Sequence, residues 1–212
     1  MAARRRQVRK SFLRNAQPLD GLAHNAHLRP SGIRIYRNMK IILASGSPRR
    51  AKILSDIGIE FDIVKTDADE VCFESDPERT VRENALAKGA ALSGKRNVLS
   101  ADTIVWFNNR IYGKPRDLDE AKEFLRELSG RTHKVFTAVA FDGKVEVVVS
   151  EVKFRDLTRT DIEEYVAKVK PVDRAGAYDI DESGSLIVES YGGSYENIMG
   201  LPIEPLVKWG IA

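Results

Sequence analysis

Residues 40–58, KIILASGSPRRAKILSDIG, decide how the rest of the chain is read. Lys40–Ser45 is a short apolar run with the character of a buried strand. Ser47 is a favoured N-cap, and Pro48 suits a first helical position because its missing N–H would find no partner there. Ala51, Ile53, Leu54 and Ile57 then form an apolar stripe, and Gly58 ends the helix. Two arginines, Arg49 and Arg50, fall in the first turn, where the helix dipole disfavours each cation by roughly 0.3–1 kcal/mol. They are either solvated and turned away, or placed to meet an anion. The anion reading has more to support it, because a helix N-terminus offers free backbone N–H groups. Guanidinium groups add forked donors, Ser45 and Ser47 add hydroxyls, and Gly46 permits close approach. The pattern GxxxxGK[ST] is absent, so this is not a Walker A loop.

Working outward, Ile59, Phe61 and Ile63 alternate with polar residues, which predicts a strand. KTDADE (65–70) reads as an acidic loop, and a helix is predicted from Asp76-Pro77 through RTVRENALAKGAALSG. NVLSADTIVWF (97–107) is the next strand, with a turn at Asn108-Asn109. Asp117 and Glu120 approximate a capping box before Leu118, Ala121, Leu125 and Leu128. Asp142-Gly143 between KVFTAVAF and KVEVVVSEVKF signals a β-hairpin. Thr160 or Asp161 is expected to cap a helix carrying Ile162, Tyr165, Val166 and Val169, and Leu186–Val188 to form a short strand. Strand–helix alternation followed by hairpins predicts an α/β fold with a mixed sheet.

The chain has 212 residues, 42% hydrophobic and 31% charged, as expected of one ordinary globular domain. Its net charge of +3 is unevenly spread. Residues 1–38 hold nine Lys/Arg and one acid, Asp20, so the remainder is net acidic. That first segment lacks the apolar core of a secretory signal. It reads as a basic extension, disordered or dispensable; a targeting peptide and translated sequence upstream of a start at Met39 are the other readings. Residues 39–212 form the expected domain. Cys72 is the single cysteine, which fits a reducing compartment, and no apolar run reaches membrane-spanning length.

Asp102 lies inside an apolar strand, where an acid is costly unless paired or metal-bound. It is either hydrogen-bonded at a strand end, or a metal ligand or general base. Asp67, Asp69 and Glu70 supply further carboxylates, and two such groups from separate segments suit Mg²⁺. Lys88 and Lys114 are candidate phosphate lysines. His133 reads more simply as a loop or strand-edge histidine than as a base, and Cys72 has no assigned role. Cations and carboxylates on an α/β frame point to metal-assisted chemistry on a phosphorylated small molecule.

ILASGSPRRAKIL, DADE, NALAKGAA, SADTIVWFNNRIYGKPRDLDEAKEFLRELSGRTHKVFTAV, AGAYDID and YENIMGLPIEPL together resemble the Maf family of nucleoside triphosphate pyrophosphatases, in order, across about residues 40–206. The resemblance implies an α/β fold like that of inosine triphosphate pyrophosphatases, with a long curved mixed sheet and a cleft between two lobes. It implies hydrolysis of a nucleoside triphosphate to the monophosphate and diphosphate, with Mg²⁺ or Mn²⁺ as cofactor. It implies Asp102 as catalytic and metal residue, Glu70 as second metal ligand, and Ser45, Arg49, Arg50, Lys88 and Lys114 as substrate-binding residues. Arg49, Thr103 and Asp181 would set specificity. Asp102-Thr103 is similar to the dTTP/UTP branch, whereas Asp181 stands where that branch carries Gln. The alternatives are a modified nucleotide such as 7-methyl-GTP, or a binding role in cell-division control. A cytoplasmic enzyme is expected, with no membrane or nucleic-acid partner; a homodimer is compatible with the family.

Overall fold

A seven-stranded mixed sheet carries the molecule, in the order β2-β1-β3-β5-β6-β7 with β4 paired to β3. The computed structural model describes residues 40–212; the basic extension 1–38 and Met39 lie outside the described residues. The strands are β1 (Ile41–Leu43), β2 (Phe61–Ile63), β3 (Val98–Phe107), β4 (Arg110–Tyr112), β5 (Thr132–Phe141), β6 (Lys144–Phe154) and β7 (Val188–Gly192). The helices are α1 (Pro48–Asp56), α2 (Pro77–Ala90), α3 (Leu118–Leu128), α4 (Arg159–Val169), α5 (Tyr195–Met199) and α6 (Glu204–Lys208). The α/β class with a mixed sheet is therefore as expected from the alternation of elements. Among the described residues, no helix is long and apolar enough to cross a membrane.

The arrangement around β3 positions the site. One edge of β3 pairs with β5 over Leu99–Trp106. The other edge is divided: β1 runs parallel to its start at Val98 and Leu99, and β4 runs antiparallel to its end at Val105–Phe107. Between them, Ser100–Ile104 have no strand partner on that side. Successive side chains on a strand point to opposite faces. Leu99, Ala101 and Val105 join the main core, while Ile104, on the other face, packs with Ala138, Ala140, Val81 and Ala85 beneath α2. Small residues let α2 sit close to the sheet: Ser100 Oγ donates to the Ala85 carbonyl at 2.6 Å, and a Cβ on Gly89 would come within 3.0 Å of that oxygen.

Local chemistry explains most boundaries. Pro77 opens α2 behind Asp76, whose carboxylate accepts the Arg79 N–H. Asp142-Gly143 turns between β5 and β6 with both φ positive, and Asn108-Asn109 does the same between β3 and β4, as two-residue hairpin turns require. Three expectations need correction. The cap of α4 is Thr158, which forms a true capping box with Asp161, so Thr160 and Asp161 lie inside the helix. The last strand is Val188–Gly192, and Leu186 belongs to a preceding 3-10 turn. Glu120 reaches past the cap of α3 to accept from the Arg116 N–H, while Asp117 alone caps the helix.

The turn Ala175–Ala177 locks the loop beside the cleft onto β3. Gly176 has φ +68°, and a Cβ there would lie 2.6 Å from Val105 Cγ2. Gly143 has φ +85° with open space around it. Gly176→Ala should therefore cost about 2–4 kcal/mol from conformation plus overpacking, against about 1 kcal/mol for Gly143→Ala. Urea unfolding of both variants checks this, and equal losses would show that packing against Val105 contributes nothing.

Candidate functional site

Asp102, Thr103 and Ile104, in the stretch of β3 that lacks a partner on one edge, line a cleft of about 690 Å³. Ser45, Arg49, Arg50, Glu70, Lys88, Asp102, Thr103 and Lys114 all line it, so nearly every residue singled out from the sequence converges there. Asp67, Asp69 and Asp181 lie outside the lining. Asp181 accepts a hydrogen bond from Tyr195 Oη at 3.2 Å and sits 4.0 Å from Lys52 Nζ.

On the α2 side, Asp102 is 6% exposed. Its Oδ1 accepts from Lys88 Nζ at 2.5 Å and its Oδ2 from Asn84 Nδ2 at 3.3 Å. Lys88 also pairs with Glu70 at 2.7 Å, so one ammonium joins two carboxylates from separate segments. Asn84 and Lys88 are four residues apart and share one helix face. Asn84 also fixes the acidic loop: its Oδ1 accepts from Val71 N at 2.8 Å, and its Nδ2 donates to Val71 O at 3.0 Å. Burial opposes ionisation of Glu70, but Lys88, Lys114 and Arg50 outweigh it and hold the carboxyl below its ordinary range. Among the described residues no cluster of three His, Cys, Asp or Glu groups could hold a metal. Two converging carboxylates do suit a divalent cation that takes its other ligands from phosphate and water.

On the opposite face, Arg50 is anchored by all three of its nitrogens. Nε donates to Gly200 O at 2.9 Å, one terminal nitrogen to Ser45 Oγ at 3.0 Å and the other to Thr103 Oγ1 at 3.2 Å. Burial lowers its pKa, with the Asp102 charge opposing the shift, and the guanidinium stays protonated at neutral pH. Five N–H groups less three leaves two for a ligand. Arg49 leans on Asp179 at 3.5 Å and on the Asp173 carbonyl at 3.4 Å. Ser47 occupies the N-cap as expected but makes no side-chain cap; its N–H donates to Ser45 Oγ at 3.2 Å.

Sequence reasoning missed Asn84, Lys65 and Asp179, all of which line the cleft. Lys65 runs across Gly46, where a Cβ would meet its Cε at 3.0 Å, and forms no ion pair among the described residues. Burial opposes ionisation of Asp179, yet the N–H groups of Glu182 and Asp181 and the guanidiniums of Arg174 and Arg49 keep it ionised below its usual range. The signal for Asn84 was its spacing from Lys88. Nothing in the sequence distinguished Lys65 or Asp179 from neighbouring charges.

The profile of the family described as Maf-like protein matches residues 40–209. A protein of Bacillus cereus (strain B4264) named dTTP/UTP pyrophosphatase is 44% identical over 177 residues, covering 80% of this chain and 93% of its own. One of Clostridioides difficile (strain 630), with the same name, is 43% identical over 178 residues, covering 79% and 92%. A Bacillus anthracis protein of that name is 44% identical over 177 residues, covering 80% and 93%.

His133 lies outside the cleft lining and is neither loop nor edge. It is 1% exposed in β5, 3.0 Å from Tyr178 Oη and edge-on to Phe154. Burial pushes its pKa down to about 3. The unfolded chain, with an ordinary histidine, then binds a proton that the native state refuses between about pH 6.5 and 3. Stability should fall by about 1.4 kcal/mol per pH unit on acidification through that window, and be unaffected by this residue above it. Denaturant titrations at pH 5 and pH 7.5 should show this slope in the wild type and lose it in His133→Phe; an unchanged slope would contradict the assignment.

Proposed function

The chain belongs to the Maf-like protein family, and on that premise we propose that it hydrolyses a nucleoside triphosphate, dTTP or UTP, to the monophosphate and diphosphate. The observation that carries this reading is the meeting of two chemistries at the bare edge of β3. Paired carboxylates, Asp102 and Glu70, arrive from one face, and donors suited to phosphate, Arg50 and Ser45, from the other. A phosphate chain laid across the edge touches both.

Arg50 holds the chain through its two remaining N–H groups, fixed in angle by its three anchors. Lys65, Lys114 and Arg49 supply positive charge along the cleft wall. Their attraction grows as negative charge moves onto the leaving diphosphate, which makes it catalytic as well as binding. Asp102 keeps lone pairs beyond those used by Lys88 and Asn84, and accepts the proton of the attacking water as the bond from the α-phosphorus to the bridging oxygen breaks. Glu70 and Asp102 would also hold Mg²⁺ or Mn²⁺; when bound, such a cation offsets phosphate charge and acidifies water. Lys88 stands between the two acids and holds them together. The exposed thiol of Cys72 fits a reducing compartment, and we place the enzyme in the cytoplasm.

Incubation with dTTP, UTP, dCTP and GTP in Mg²⁺ or Mn²⁺, with products resolved by chromatography, should yield dTMP and UMP with diphosphate. Release of dTDP and orthophosphate would refute the reaction. Asp102→Asn should lower kcat by about 10²–10⁴-fold with little change in KM. Activity within a few-fold of wild type would remove Asp102 from the chemistry.

A further inference from the structure

Thr137 on β5 lies directly opposite Thr103 in the sheet register. Its Oγ1 is 3.1 Å from Thr103 Oγ1 and 3.0 Å from the carbonyl oxygen of Asn197. A hydroxyl carries one proton, so Thr137 cannot donate to both. Arg50 can only donate, and it already points an N–H at Thr103 Oγ1. If Thr137 donates to Asn197, Thr103 donates to Thr137, and a directed chain forms: Arg50 to Thr103 to Thr137 to the Asn197 carbonyl. That chain makes three hydrogen bonds. The reverse makes two, and leaves the Thr103 proton without a partner in the protein. Gly200 closes the surroundings, since a Cβ there would stand 3.1 Å from Thr103 Oγ1.

The chain leaves Thr103 one unused valence toward the cleft, a lone pair. Phosphate oxygens are themselves acceptors, so a hydroxyl in this state cannot bind them. It selects a donor on another part of the ligand. We propose that Thr137 is a specificity-determining positioning residue, which takes the Thr103 proton and so turns Thr103 into an acceptor for an N–H of the base. Resting on the nucleotide reading above, the matching group is the N3–H of uracil and thymine. Cytosine carries an unprotonated N3, which would face the Thr103 lone pair.

The test compares kcat/KM for dTTP and dCTP, whose sugar and phosphates are identical. Thr137→Val removes the acceptor and frees the Thr103 proton, so the preference for dTTP over dCTP should fall about tenfold, the worth of one hydrogen bond. Thr137→Ser should restore it. An unchanged preference in Thr137→Val overturns the inference. The wild type supplies a measurement independent of how the variants fold: N3-methyl-dTTP, which lacks the donor, should be turned over at least about tenfold less efficiently than dTTP. Equal turnover also overturns it. Failure of the wild type to convert dTTP to dTMP and diphosphate would instead refute the proposed reaction itself.

Discussion

A central strand of a sheet ordinarily has a neighbour on each side. β3 keeps both neighbours at its two ends and loses one in the middle, where β1 has turned away into α1 and β4 has not begun. The strand stays in place because β5 pairs with its other edge continuously from Leu99 to Trp106. This gap is the constraint on which the site depends. Adjacent residues of a strand face opposite sides of the sheet, so Asp102 and Thr103 would normally serve two unrelated surfaces. At a bare edge both sides open into one space. Asp102 brings the partners supplied by α2, and Thr103 brings those supplied by α1 and the turn at Gly200.

Each side is organised around a cation the protein holds for itself. Lys88 joins Asp102 to Glu70, and Arg50 joins Ser45, Thr103 and Gly200. A half-buried guanidinium is costly to desolvate, and hydrogen bonds to its donors offset that cost. Three of the five are satisfied internally. The arginine that looked misplaced in a first helical turn is thus held by contacts to distant segments. Arg49 is offset by Asp179 and Asp173. Two cations in a first helical turn pointed to an anion, but nothing local showed that acids from residue 173 onward offset the charge of Arg49.

The strand and helix around SGSPRR were legible because short-range rules govern them: an apolar run, a proline at N1, a glycine past the end. The same is true of the two hairpin turns. Legibility declined where chemistry repeats locally. Thr158, Thr160 and Asp161 are all acceptable caps, and only the reciprocal bond in the fold selects Thr158. The glycine-rich stretch near residue 186 offered no pattern to separate a 3-10 turn from a strand. Among site residues, Asp102 stood out as an acid in an apolar strand. Asp179 and Asp181 differ by two positions, and no local signal tells which one faces the cleft. That depends on Arg174, Arg49 and the backbone turn, which draw Asp179 inward while Tyr195 holds Asp181 outside. His133 looked peripheral because its neighbours in sequence are polar, whereas Phe154 and Tyr178 enclose it in space.

The bond from Arg50 to the Gly200 carbonyl spans 150 positions. During synthesis the first strand and helix emerge early, with their serines and arginines in order. The acceptor for Nε emerges only near the end, together with Asn197 and the turn that fixes Thr103. Of the three anchors of Arg50, Ser45 is made just before it, Thr103 about midway and Gly200 last. The corner that Arg50 builds thus draws one of its three anchors from a segment made near the end of the chain. A chain cut short of Gly200 would keep its most recognisable motif without the carbonyl that anchors the Arg50 Nε.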